Sequence, residues 1–278
     1  MQTLQAVITG SIQGLSEFLP ISSSAHIVFS NSLYNLFVNN AEINKFEEIF
    51  FDICVHFGTL LAVLLYFYND LKHILKEFIK SLKEKKYSSN ETKLLFYIFL
   101  STIITGVIGI ILKYPVEMLV SNPKFVCILL FITGLILLLS EKAYRGDKDI
   151  NIKSVILISI AQGLAIFPGF SRSGFTIATA LFCGMERVKA ARFSFLMSIP
   201  VIFLASFVYP LMELDFSKIL QFNITAIITG TIVSFVVGYF CIKYFMKLLG
   251  RLSLKIFGYY CFLASVLMFL LFQFVYHH

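Results

Sequence analysis

Two stretches of this 278-residue chain resemble each other, and both set polar chemistry inside apolar sequence. The first runs Gln13-Gly14-Leu15-Ser16-Glu17-Phe18-Leu19-Pro20-Ile21-Ser22-Ser23-Ser24-Ala25-His26. The second runs Gln162-Gly163-Leu164-Ala165-Ile166-Phe167-Pro168-Gly169-Phe170-Ser171-Arg172-Ser173-Gly174-Phe175-Thr176. Between them they hold a carboxylate, a histidine, an arginine and a cluster of hydroxyls. Charge placed in hydrocarbon is costly and is retained mainly for function. The pair therefore marks a site, and the duplication says how it is built.

Ser22, Ser23 and Ser24 follow Pro20 and precede an apolar run that opens at Ile27. Ser171, Arg172, Ser173 and Gly174 follow Pro168 and Gly169 and precede Phe175. Both read as hydroxyl-rich helix starts, where free backbone N–H groups and the helix dipole favour an anion, most often phosphate. Arg172 adds a permanent charge whose fork geometry suits phosphoryl oxygens. Ser22, Ser24, Ser171, Ser173, Gly174 and Thr176 are the candidate phosphate-binding groups around it. Ser23 stands three residues before His26, so the imidazole is expected to take its proton and turn it into a nucleophile. Direct attack by His26 is the alternative. Glu17 would orient or charge-balance the histidine, or bind a divalent ion, Mg or Ca, that bridges phosphates. No organic cofactor is expected. Taken singly, each residue has a plainer role: serines cap helices, and an arginine or a histidine can be a structural partner. Their occurrence together on two related segments is what favours a phosphate site.

The elements that must position these groups lie in a bilayer. The chain is 58% hydrophobic and 14% charged, with mean hydropathy +0.84, outside the range of soluble domains. Six apolar runs approach the roughly 20 helical residues that a span needs: residues 49–68, 94–112, 125–140, 193–211, 224–242 and 256–276. The third is short and is expected to need its flanks to snorkel. With 31 Phe and no Trp, an interfacial aromatic belt must come from the 13 Tyr. No Lys or Arg precedes Lys45, so no cleavable signal peptide is expected. The five cysteines lie in apolar stretches without a CxxC pair, and read as free thiols packed in the membrane.

The net charge of +7 is distributed in a way that excludes a nucleic-acid footprint. Of the 23 Lys and Arg, 18 fall in residues 72–93, 142–153, 187–192 and 243–255, which is the positive-inside pattern of cytoplasmic loops. With these segments inside, the two motif regions must each begin and end on one side. Residues 1–34 return outside before the acidic Glu42, Glu47 and Glu48, and residues 154–184 return inside before Arg187. Both are expected to be re-entrant helical hairpins broken near Pro20 and Pro168. The fold class is thus an all-α polytopic membrane protein, a single integral membrane domain. Each half holds one hairpin and three spans, the first half covering about 1–141 and the second about 152–278. An odd number of spans per half makes this an inverted repeat. The halves also match after the hairpins, with Asp52 and His56 corresponding to Ser194 and Ser198. Asp52 and His56 either support the site from behind or form a buried interhelical pair. Backbone loops at membrane depth are tolerated only where protein or a wet cavity encloses them, so the two tips are expected to meet near the midplane.

At these motifs the chain resembles the bacterial undecaprenyl-diphosphate phosphatases of the bacitracin-resistance type. Gln13, Glu17, Phe18-Leu19-Pro20 and Ser22-Ser23-Ser24-Ala25-His26 match that family's first signature, and Pro168 to Thr176 its second. The likeness extends over essentially the whole chain, including Phe193-Ser194-Phe195. It implies an inner-membrane hydrolase that removes the terminal phosphate of a C55 polyprenyl diphosphate. The monophosphate carrier then returns to peptidoglycan synthesis, with bacitracin resistance as a consequence. It also implies that the catalytic glutamate is Glu17, the serine Ser23, the histidine His26 and the arginine Arg172. Gln13 stands where the family has Glu or Gln; being neutral, it argues against a two-carboxylate metal site on that helix. Ala25 stands where glycine is common. The partner implied is the polyprenyl diphosphate lipid. The rival class is a polyprenyl-phosphate flippase or anion transporter, because inverted repeats with broken helices also build carriers. A carrier has no need of a Ser–His pair beside its anion groups.

The charge pattern places both termini outside and the site open to the outer face. Single cysteines at Asn39 and Asn223, in a cysteine-free background, should react with an impermeant reagent on intact spheroplasts. Those at Ser88 and Gly146 should react only after lysis. Labelling at Ser88 or Gly146 in intact spheroplasts would reverse the orientation.

Overall fold

A computed structural model describes residues 2–37, 45–87, 89–120, 122–208, 210–211 and 222–275. Glu42, Asn39 and Ser88 lie outside the described residues. The described chain is built from helices: α1 Thr3–Phe18, α2 Ser23–Phe37, α3 Lys45–Tyr66, α4 Tyr68–Glu84, α5 Asn90–Val120 and α6 Pro123–Ala143. There follow α7 Ile152–Leu164, α8 Arg172–Phe182, α9 Arg187–Phe203, α10 Ile224–Leu249 and α11 Lys255–Val275. A π-helical turn, Leu204–Val208, prolongs α9. Among the described residues six helices, α3, α5, α6, α9, α10 and α11, are long and apolar enough to cross a membrane. The chain is an all-α polytopic membrane protein.

Local sequence accounts for many of the helix ends. Asn122 caps α6 by accepting from Lys124 N at 3.0 Å, with Pro123 in the first turn, where its missing N–H costs nothing. The third span therefore has 21 residues rather than the short run expected, because its cap lies upstream of the apolar stretch. Asn151 and Ser154 form a reciprocal capping box that starts α7. Asn223 caps α10 through Ala226 N at 3.2 Å. The basic stretch 72–93, read only as a loop, contains a further helix, α4, which ends at Lys85 in the left-handed conformation.

Helices α1, α2, α7 and α8 have 16, 15, 13 and 11 residues. At ~1.5 Å per residue each is shorter than the ~30 Å of a hydrocarbon core. α1 stops at Phe18, one residue before Leu19-Pro20, as expected where a residue preceding proline is pushed out of the helical region. The chain resumes helix at Ser23. α7 stops at Leu164 and the chain resumes helix at Arg172.

The scaffold around these broken helices packs through small residues, as membrane interiors require when lipid offers no hydrophobic gain. α1 lies on α10: a Cβ on Gly14 would come within 2.8 Å of Ser234 O and 2.9 Å of Gly238 N. α3 lies on the other flank of α10, where a Cβ on Gly58 would meet Thr231 O at 2.5 Å. α6 and α11 cross at Gly134 and Gly258. At one end of the bundle Glu141 accepts from Arg187 Nε at 2.9 Å and Nη2 at 2.6 Å, from Ser253 Oγ at 3.0 Å and from Leu254 N at 3.0 Å. This ties α6, α9 and the α10–α11 turn together. All five cysteines are free; Cys127, Cys241 and Cys261 are buried, while Cys54 and Cys183 are partly exposed.

Overpacking such a crossing costs about 1–3 kcal/mol. Gly58→Ala should therefore lower the thermal midpoint of the purified protein. Gly106→Ala, where nothing lies within 4 Å, should leave it unchanged or raise it through reduced backbone entropy. Equal midpoints for the two variants would contradict the close α3–α10 approach.

Candidate active site

The two helix breaks meet. Arg172, the first residue of α8, donates through Nη2 to Glu17 Oε1 near the end of α1. Ser173 Oγ donates to Leu19 O at 3.0 Å, and Gly169 N donates to Ser24 Oγ at 3.3 Å. Residues 145, 154 and 155 apart in sequence are thus joined across the tips by an ion pair and two flanking hydrogen bonds.

Each tip has a backbone feature that aims it. Ser22 has φ +70, a conformation that costs a non-glycine residue on the order of 1–3 kcal/mol. Its carbonyl accepts from His26 Nδ1 at 2.8 Å, and its hydroxyl accepts from Ala25 N at 3.3 Å, capping α2. Gly169 has φ +105, and a Cβ there would lie 2.5 Å from Val126 O of α6. Only glycine lets the second tip press this closely on α6. Thr133 of α6 then holds that tip, donating to Gly169 O at 3.1 Å and accepting from Ser171 N at 3.3 Å.

Glu17 is the hub. Its Oε2 accepts from Ser23 Oγ at 2.8 Å and from Gln13 Nε2 at 3.0 Å, while His56 Nε2 approaches the same oxygen at 3.8 Å. Only 8% of Glu17 is exposed, so a charge there must be paired and hydrogen-bonded, and it is. Ser23 therefore sits on a carboxylate. The expected Ser23–His26 contact is not formed, because both nitrogens of His26 are engaged elsewhere. Nδ1 bonds the Ser22 carbonyl, and Nε2 bonds Tyr260 Oη at 2.7 Å, with the two rings nearly parallel at 5.6 Å. A carbonyl can only accept, so Nδ1 carries the hydrogen; when the ring is neutral, the Tyr260 hydroxyl is the donor to Nε2. The i+3 spacing fails to pair Ser23 with His26 because the ring turns back to the strained carbonyl of Ser22.

Most of the other hydroxyls assemble the tips. Ser171 caps α8 by accepting from Gly174 N at 3.1 Å. Thr176 Oγ1 bonds Ser194 Oγ at 2.6 Å and donates to Arg172 O at 2.8 Å. Ser22 Oγ and Ser24 Oγ are 3.2 Å apart. What remains for an incoming anion is Ser23 Oγ, Arg172, and the first-turn N–H groups of α2 and α8 other than those of Ala25 and Gly174, which the caps already hold. The second guanidinium nitrogen of that arginine, Nη1, is buried without a hydrogen-bond partner. Asp52 meets His56 through its backbone carbonyl at 2.8 Å, which turns the Nε2 side of that ring towards Glu17. Gln162, the counterpart of Gln13, bonds Thr105 Oγ1 at 3.1 Å in the other half, away from the tips.

A divalent ion held by Glu17 does not fit this donor set. Both of its oxygens are already engaged, Gln13 is neutral, and the nearest cation, Arg172, would have to leave. Among the described residues no three His, Cys, Asp or Glu side chains converge to hold an ion. Tyr260 and Thr133 are the residues that sequence reasoning missed. Each touches a tip from a distant helix, and neither lies in a motif.

The family model described as bacitracin resistance protein BacA matches residues 6–267. The chain is 37% identical to the undecaprenyl-diphosphatase of Methanobrevibacter smithii, over 97% of this chain and 98% of that protein. It is 38% identical to the undecaprenyl-diphosphatase of Halothermothrix orenii, over 98% of each. It is 37% identical to undecaprenyl-diphosphatase 2 of Halalkalibacterium halodurans, over 98% of this chain and 97% of that protein. With broken helices that carry both signatures to one point and a match over nearly its full length, the chain belongs to the BacA bacitracin-resistance family.

Proposed function

We propose that this protein hydrolyses undecaprenyl diphosphate to undecaprenyl phosphate and inorganic phosphate. The observation that carries the reading is the 2.8 Å contact of Ser23 Oγ with a Glu17 carboxylate that also pairs with Arg172. A lipid carrier needs the arginine and the helix starts but has no use for a hydroxyl already seated on a base.

In the resting site Arg172 neutralises Glu17. An arriving diphosphate competes for that guanidinium through Nη1 and then Nη2, and the transferring phosphoryl lies against Arg172 and the N–H groups that open α2 and α8. Charge stabilisation of this kind supplies most of the rate in phosphoryl transfer. Glu17, released from its cation, takes the Ser23 proton as Oγ attacks the terminal phosphorus. The bond from that phosphorus to the bridging oxygen breaks, Glu17 hands its proton to that oxygen, and undecaprenyl phosphate leaves. Water activated by Glu17 then cleaves the phosphoserine and restores Ser23. In this scheme His26 holds the Ser22 turn that aims Ser23, and His56 lies beside Glu17 at the edge of the site.

The architecture proposed with it is an inverted repeat, about 1–141 and 152–278, with α1–α2 and α7–α8 as re-entrant hairpins. Supporting it, α1 packs on α10 as α7 packs on α5, so the first arm of each hairpin rests on the second span of the other half. We place the basic loops in the cytoplasm, both termini outside, and the site open to the outer face of the cytoplasmic membrane. This orientation rests on the lysine and arginine distribution.

Phosphate release by the purified protein from a C55 or C15 prenyl diphosphate tests the assignment. Ser23→Ala should abolish it with the fold intact, and near-normal turnover would remove the serine mechanism and bring His26 forward as nucleophile. Glu17→Gln should lower the rate by about a hundredfold or more, the range of a lost general base. Arg172→Lys should lose about a hundredfold despite keeping the charge, because an ammonium cannot reproduce the two-pronged contact. A lysine variant at the wild-type rate would reduce Arg172 to a point charge.

A further inference from the structure

Helix α4 has a surface that the phosphatase reading leaves unused. Its buried face, with Ile74 and Ser81, packs towards the bundle, and Ser81 Oγ lies 2.8 Å from Thr92 Oγ1 of α5. Beside that face runs an apolar stripe open to the surroundings: Tyr68, Leu75 at 56% exposed, Ile79 at 45% and Leu82 at 49%. At ~3.6 residues per turn these positions line up along one edge of the rod. Lys72, Lys76, Lys80 and Lys83 follow as the next band around the helix, all exposed and none in an ion pair among the described residues. Glu77 and Glu84 come after the lysines, farthest from the stripe.

The tethers of α4 fix where this surface lies. Only Phe67 separates it from α3, and residues 85–89 lead into α5, so both ends are held at the same end of two membrane-crossing helices. α3 and α5 each pack against α9, and Asp70 in the first turn of α4 accepts from Arg192 Nε of α9 at 2.8 Å. The 17 residues of α4 make a rod about 26 Å long, enough to bridge the width of roughly two helices. A rod tied in this way at both ends, and to α9 through Asp70, is placed to lie along the membrane face. The order of its bands is that of a helix lying in a lipid interface: protein-facing, acyl-facing, then a row of lysines at headgroup level, with acids turned to water.

We infer that α4 is an interfacial helix that binds anionic lipid, with Leu75, Ile79 and Leu82 dipping into the headgroup–acyl boundary and Lys72, Lys76, Lys80 and Lys83 pairing with lipid phosphates. Its lysine row and its tethers to two spans favour a lipid surface over a protein partner. The binding is electrostatic as well as apolar, so it depends on the anionic lipid content of the leaflet that α4 touches.

The test uses the full-length protein with its native cysteines replaced and an environment-sensitive dye on a single cysteine at Ile79 or, for comparison, at Glu84. It is reconstituted into vesicles of phosphatidylcholine, with or without one third phosphatidylglycerol, that carry lipids spin-labelled near the headgroup. With phosphatidylglycerol present, the dye at 79 should be quenched by lipid at least about twofold more than the dye at 84. That excess should fall by at least about half in pure phosphatidylcholine, or when the four lysines are replaced together by glutamine. Equal quenching at 79 and 84 would overturn the proposal, as would quenching at 79 that ignores both changes. A dye at 79 shielded from aqueous iodide yet unquenched by lipid would also overturn it, showing the face covered by protein such as a second copy. Because the readout is lipid contact and not turnover, these outcomes are independent of the phosphatase assignment.

Discussion

The ion pair between Glu17 and Arg172 is the constraint on which the rest of the site depends. Two helix ends that would each leave unpaired backbone groups in apolar surroundings are brought together, and the pair supplies charge of each sign to the other. Removing one partner of such a buried pair typically costs about 3–5 kcal/mol, because the survivor is stranded. The other tip contacts follow from this closure. Beside the pair, Ser173 reaches the Leu19 carbonyl and Ser24 accepts from Gly169 N. Ser23 and Gln13 share the remaining oxygen. One carboxylate therefore joins the two halves of the chain and holds the hydroxyl that would react.

The scaffold serves this closure in a physical order. Glycines at the helix crossings bring α1 and α3 close to α10, which fixes the height at which α1 stops. Gly169, in a conformation denied to other residues, lets the second tip lie on α6, where Thr133 satisfies both its carbonyl and an N–H. The positive φ at Ser22 turns the first tip, and the His26 ring braces that turn from beneath, with Tyr260 of α11 closing its far nitrogen. At the end of the bundle that the basic segments define, Glu141 collects Arg187, Ser253 and the Leu254 amide and fixes α6 and α9 relative to the last two helices.

The fold class was legible because spanning a membrane demands long apolar runs, and little else in a sequence resembles them. The two breaks were legible from Pro20 and Pro168, and the meeting of the tips from the need to enclose non-helical backbone; the direct pairing of Glu17 with Arg172 was not, because Glu17 was expected to serve His26 or a divalent ion. The pairing of Ser23 was not legible. Sequence spacing favours His26, but the choice between histidine and glutamate is made by the rotation of one ring towards a carbonyl that exists only in the strained Ser22 turn. Tyr260 and Thr133 were invisible because nothing local marks a hydroxyl whose partner lies 234 or 36 residues away. Ser22, Ser24, Ser171, Ser173 and Thr176 were expected as phosphate-binding groups; their hydroxyls cap and cross-link the tips, a role that composition does not mark. Helix α4 was hidden among lysines, though Ile74 and Ser81 on its inward side are two helical turns apart.

A double-mutant cycle on the thermal stability of the purified protein tests the central ion pair most directly, with Glu17→Gln, Arg172→Gln and the two combined. A joined pair predicts that each single variant is strongly destabilised by the unpaired charge it leaves, and that the double variant recovers much of that loss because no charge is stranded. Losses that simply add, or single variants as stable as the wild type, would contradict a structure held together at Glu17 and Arg172.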